Sequence, residues 1–164
     1  MISKKSAKAI NEQINREFFA AFLYQAMAND AMSKGFKGAA KWFSAQFTEE
    51  QEHAFKFAKY LEDQGAKVEF AALEAPRLEW PDLLAMFKEA LDHEKKVTAS
   101  INKIAELALA EKDFATQNML QWFINEQVEE EANVSDVIWM LEMSAGSKGA
   151  LFMADKTLRK RAAD

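Results

Sequence analysis

The two halves of this chain carry one pattern of polar side chains. Glu17, Glu50 and His53 recur seventy-seven positions later as Glu94, Gln127 and Glu130. The flanking acids keep the shift, Glu49 to Glu126 and Glu52 to Glu129. An internal repeat marks a duplicated structural unit. In each copy one acid stands on a first segment and two candidate metal ligands stand three residues apart on a second. Residues at that spacing share a helix face. The repeat therefore predicts two helical hairpins whose polar faces meet, a four-helix bundle with room for a two-metal site.

Chain breakers agree. The 164 residues hold only 5 Gly and 2 Pro, which predicts an all-α chain. Gly35, Gly65, the stretch with Pro76 and Pro81, the Lys112-Asp113 step and Gly146 punctuate it. Helical periodicity fills the intervals. The first segment runs from about 6 to 34, with Ile10, Ile14, Phe18, Ala21 and Phe22 expected on one face. The second runs from 36 to 64, with Ala40, Phe43, Phe47, Ala54 and Leu61. The third runs from 82 to 110, with Leu84, Phe87, Leu91, Ile101 and Leu109. The fourth follows Asp113, a predicted N-cap, and reaches about Ser144 with Leu120, Phe123, Val134 and Leu141. A short fifth, about 147–161, holds Leu151, Phe152, Ala154 and Leu158. Short joints imply antiparallel hairpins. Residues 66–81 form the one long connection. Extended, it reaches roughly 50 Å, and a helix of that size is about 43 Å long. It can climb the whole bundle and leave the second and third helices parallel. The expectation is one domain over 1–164, with the bundle at about 6–144.

Net charge is −5 and there are no cysteines. The charge argues against non-specific nucleic-acid binding and suits attraction of cations. Disulfides, thiolate catalysis and Cys-based metal sites are excluded. No signal-like run and no membrane-length apolar stretch occurs, so a cytoplasmic location is expected, with no membrane partner.

The candidate ligands stand among apolar neighbours. Glu17 lies between Ile14 and Ala21, Glu50 and His53 beside Phe47 and Ala54, and Glu94 beside Ala90, Leu91 and Val97. A buried, uncompensated carboxylate costs several kcal/mol. No Lys or Arg stands three or four residues from any of these acids. A bound cation solves the problem, and oxygen ligands with one imidazole suit iron or manganese, less selectively zinc. Any single glutamate alone reads as a solvated helix acid; the shared offset and apolar flanks decide otherwise. Tyr24, two turns after Glu17, falls on the same face, while His93 points to another and is expected at the surface or behind the ligands.

At these residues the chain resembles the non-haem ferritins of bacteria and archaea. The strongest stretches are Asn11-Glu12-Gln13-Ile14-Asn15-Arg16-Glu17, Glu49-Glu50-Gln51-Glu52-His53-Ala54, and Leu120 to Glu131. The resemblance implies a ferritin-like bundle with a ferroxidase centre. Glu17, Glu50 and His53 would hold one iron, and Glu50 would bridge to a second held by Glu94 and Glu130, with Gln127 close by. Glu49, Glu126, Glu129 and Glu130 match a third iron site, and Tyr24 matches a tyrosine beside the centre. It further implies a homo-oligomeric, 24-subunit shell that stores ferric mineral, and a fifth helix that packs with its copies around a four-fold axis. Ferrous iron and dioxygen or hydrogen peroxide would be the substrates. Bacterioferritins carry the Glu-x-x-His pair on both hairpins and a haem-binding Met after the bridging acid. Here the second copy reads Gln127-x-x-Glu130 and the Met position is Gln51, so haem is not expected. The alternatives are a di-iron oxidase or oxygenase acting on an organic substrate, or a metal-free interaction bundle.

Overall fold

In a computed structural model describing residues 2–161, the chain forms five helices: α1 (Lys4–Ser33), α2 (Lys37–Asp63), α3 (Leu83–Ala110), α4 (Phe114–Met143) and α5 (Lys148–Arg161). The ends of the expected domain, residue 1 and residues 162–164, lie outside the described residues. Local chemistry sets the boundaries. Ser3, Asp82 and Asp113 each accept a hydrogen bond from the third residue on, at the starts of α1, α3 and α4. Gly35 takes φ +87° after α1, and Phe36 N–H reaches back to the Ala31 carbonyl at 2.9 Å. That left-handed turn costs a side-chain-bearing residue more than glycine.

The long linker climbs beside α1. Asn11 donates to the Lys67 carbonyl at 3.0 Å and accepts from Glu69 N–H at 2.7 Å. One turn on, Asn15 donates to the Glu69 carbonyl at 3.1 Å and accepts from Ala71 N–H at 2.8 Å. At the far end of α1, the Asp30 carboxylate accepts from Trp80 N–H at 2.9 Å and pairs with Lys34. The linker thus passes from the beginning of α1 to its end, so α2 and α3 run parallel, as its length predicted.

Two apolar clusters fill the bundle. Ile10, Ile14, Phe57, Ile101 and Phe123 belong to one, and Met27, Trp42, Phe43, Phe87 and Val134 to the other. Two expected core residues are exposed, Phe22 at 51% and Leu109 at 65%. Adjacent helical residues point about 100° apart, and Ala21 and Ala108 take the inward positions.

The fifth helix also differs from expectation in part. Leu158 and Ala154 are buried in the core of their own bundle, while Phe152 stays exposed. The N-cap residue of α2, Phe36, has no side-chain cap. Asp155 of α5 supplies it, accepting from Gly38 N–H at 3.0 Å and Ala39 N–H at 2.8 Å.

Candidate metal centre

Midway along the bundle, between the two apolar clusters, four carboxylates are buried together. Glu17 and Glu50 are 1% exposed, Glu94 1% and Glu130 3%. Glu17, Glu50 and His53 each offer a ligand atom within 4.8 Å of the others. His53 Nδ1 lies 3.5 Å from a Glu50 oxygen. Glu94 and Glu130 act electrostatically on Glu50 and on each other, which brings the second copy of the repeat against the first.

Burial is the first cause of every shift here. With the charge of Glu94 it lifts Glu17 to about 7, against the opposing hydrogen bonds of Gln13 and Glu50. Glu130 rises to about 8 for the same two reasons. Glu50 stands well above the usual carboxylate range, from burial and then the charges of Glu94, Glu17 and Glu130. Glu94 is also raised by burial, with bonds from Tyr24 and Gln127 opposing. Burial holds His53 down at about 4, with Lys56 adding repulsion, so its imidazole is neutral and able to ligate. Among the described residues no Lys or Arg pairs with these four acids. Glu17 Oε2 is buried without a hydrogen-bond partner. Orphaned oxygen, raised carboxyls and a neutral imidazole form a donor set that suits a hard divalent cation.

Neutral donors surround the acids. The Tyr24 hydroxyl donates to Glu94 Oε1. Gln127 Nε2 donates to Glu94 Oε2 at 3.1 Å, Gln46 Nε2 to Glu130 Oε2 at 3.0 Å, and Gln13 Nε2 to Glu17 Oε1 at 2.8 Å. Gln127 therefore touches the centre through a bond to an acid. Gln13 and Gln46 escaped the sequence reading. A signal existed: each stands four residues before an acid, Glu17 and Glu50, and so on its face.

Glu49, Glu126 and Glu129 lie apart from the buried set. With Glu130 in the wall, they line a partly open cleft of about 640 Å³ between α2 and α4. Glu126 is raised by burial and by Glu129. His93 is not a plain surface residue. It packs on Phe19 with ring centroids 5.9 Å apart, and its Nε2 is buried without a partner.

The ferritin-like domain pattern matches residues 7–144. The chain belongs to the ferritin family. It is 38% identical over all 164 residues to a bacterial non-haem ferritin of Staphylococcus aureus (strain MRSA252), covering 99% of that protein. A Staphylococcus haemolyticus relative with the same description is 36% identical. The structure matches an open-pore ferritin from the hyperthermophilic archaeon Archaeoglobus fulgidus with a TM-score of 0.96 and 42% identity, over 97% of this chain and 98% of that one. A closed form of the Archaeoglobus ferritin, engineered by site-directed mutagenesis, matches at 0.95 with 42% identity. Ferritin-family membership agrees with the all-α bundle, the long crossover and the short fifth helix. No helix among the described residues is long and apolar enough to cross a membrane.

Proposed function

We propose that this chain is an iron-storage protein that oxidises ferrous iron at its buried acid centre and deposits the ferric product inside a homo-oligomeric, 24-subunit shell. The reading is carried by Glu17, Glu50 and His53, whose ligand atoms lie within 4.8 Å of one another, beside the buried Glu94 and Glu130 whose charges act on Glu50, with no pairing Lys or Arg among the described residues and an orphaned Glu17 oxygen. Iron is substrate here. Glu17 and His53 take one ferrous ion, Glu94 and Glu130 the other, and Glu50 faces both. Gln127 and Tyr24 hold Glu94 in place. Burial keeps the Tyr24 phenol neutral, far above its ordinary range, so it donates a proton to a hydrogen bond rather than carrying charge.

Each ferrous ion gives up one electron. One dioxygen accepts the pair with two protons and leaves as hydrogen peroxide; with peroxide as oxidant the same pair, with two protons, yields two waters. Carboxylates favour the harder ferric ion and still exchange, which suits a product that must move on. The cleft at Glu49, Glu126, Glu129 and Glu130 is a third, weaker iron site on the way out. The whole chain works as one domain, in the cytoplasm. On the Tyr24 side the core is filled by aromatic rings, Phe43 stacked on Phe87 at 4.6 Å and Trp42 packed on Phe87 at 5.0 Å, and the cleft beside Glu130 is lined with acids, which suits a cation better than an organic substrate. The test is aerobic addition of ferrous iron to the purified protein, followed by iron per particle and particle mass. A small oligomer that retains no iron overturns the storage reading.

A further inference from the structure

The two oxygens of Glu17 have different surroundings. Oε1 accepts from Gln13 at 2.8 Å, and Oε2 is buried with no hydrogen-bond partner. Gln13 is wholly buried. A glutamine amide can present either its N–H or its oxygen, and the oxygen would repel a carboxylate. What selects the N–H lies across the helix interface. Ser100 Oγ on α3 donates to Gln13 Oε1 at 2.5 Å and accepts from Arg16 Nη1 at 2.8 Å. Arginine only donates. Ser100 must accept from it and so directs its single hydrogen to Gln13 Oε1. The Gln13 N–H then has to face Glu17. Arg16 is half exposed, at 49%, so the direction of the chain is set from the protein surface.

We propose that Arg16, Ser100 and Gln13 are positioning residues that hold Glu17 Oε1 and thereby present Oε2 to the incoming cation. The inference rests on the reading of Glu17 as an iron ligand. A primary amide does not titrate near neutrality, so the chain orients Glu17 without passing protons. Gln13 is also neutral, and it adds no charge to four crowded acids. Partners behind a metal ligand commonly set affinity by 10- to 100-fold.

The test uses the assembled protein and cobalt(II), which binds without being consumed. Calorimetric titration gives the number and affinity of sites, and thermal unfolding of metal-free protein gives stability. The variants are Gln13→Leu, Ser100→Ala, Ser100→Thr, the Gln13→Leu/Ser100→Ala pair, and Glu17→Ala. Gln13→Leu and Ser100→Ala should each weaken the site that Glu17→Ala removes, by about 10- to 100-fold, with the site count unchanged. Ser100→Thr keeps the hydroxyl and should restore parental affinity. The pair should bind no more weakly than Gln13→Leu alone, since both break one chain. If Gln13→Leu and Ser100→Ala lower the melting temperature but bind cobalt as the parent does, while Glu17→Ala loses a site, the positioning chain is overturned and the centre stands. If Glu17→Ala also binds as the parent does, the ligand assignment falls and the chain with it.

Discussion

Gly38 offers a test in which propensity and packing demand opposite signs. It is the second residue of α2, and replacing glycine by alanine within a helix ordinarily stabilises by about 1 kcal/mol. Here an added Cβ would lie 1.7 Å from the backbone oxygen of Asp155. Backbone cannot swing aside as a side chain would, so α5 must shift. The shift breaks both bonds from the Asp155 carboxylate to Gly38 and Ala39 N–H. Losing such a helix cap costs about 1–2 kcal/mol. It also loosens Leu158, whose burial is worth roughly 1.5–3 kcal/mol. Because α5 can relax part of the way, only part of this sum is lost. After subtracting the propensity gain, Gly38→Ala should destabilise by about 2–4 kcal/mol, or about 4–16 °C in melting temperature. Differential scanning calorimetry of metal-free protein measures it. Asp155→Ala should cost less, about 1–2 kcal/mol, because it removes the cap and leaves the packing. The two changes together should fall short of their sum. A Gly38→Ala protein that melts at or above the parental temperature would refute the reasoning.

Other consequences can be checked directly. Glu50→Ala removes the acid that faces both ligand sets, and stopped-flow absorbance should show initial ferrous oxidation slowed at least 10-fold; an unchanged rate sinks the assignment. In metal-free protein, Glu17 and Glu130 have folded pKa values of about 7 and about 8, above those of unfolded glutamate. Their stabilising effect is complete below the unfolded value and is lost as pH rises through the folded one. Denaturant unfolding should therefore show a metal-free protein weaker at pH 8 than at pH 5.5, with the gap closed by a divalent cation; greater stability at pH 8 without metal contradicts the electrostatics. Glu49→Gln with Glu129→Gln should spare the first two irons per chain and remove a third anomalous diffraction peak from iron-soaked crystals. If the peak survives the double change, Glu49 and Glu129 are not its ligands; if the parent shows no third peak, the cleft acids do not bind iron.

Much of this was legible in the sequence because local chemistry encodes it. Asp113 caps α4 as its position predicted, and the Gly35 and Gly65 turns end α1 and α2. The repeat located the buried acids because carboxylates among apolar neighbours need a common reason to be there. Adjacent apolar pairs were ambiguous: periodicity alone did not choose between Ala21 and Phe22, and packing chose the smaller residue for the tight interface. Ser100 was illegible for a different reason. Its role depends on Gln13, 87 residues away, and an ordinary serine on a helix carries no mark of what it faces. Asp155 likewise caps a helix start 117 residues earlier in the chain.

The asparagines of α1 hold the crossover by its main chain alone. One turn of four residues rises about 6 Å, and two residues of extended chain span about 6.6 Å. Asn11 and Asn15 therefore meet the repeat of the extended segment almost in step, as a neighbouring strand would. These bonds sense spacing and ignore side chains, while Val68 packs on the core and Phe70 meets the Phe18 ring at 5.9 Å; proline is barred at Glu69 and Ala71, whose N–H groups are used. A one-residue slip would turn those groups away. A two-residue slip would satisfy both asparagines again and leave Trp80 about 6.6 Å out of step with Asp30. The crossover is thus gauged at both ends, and a length change can be absorbed only between Ala71 and Trp80.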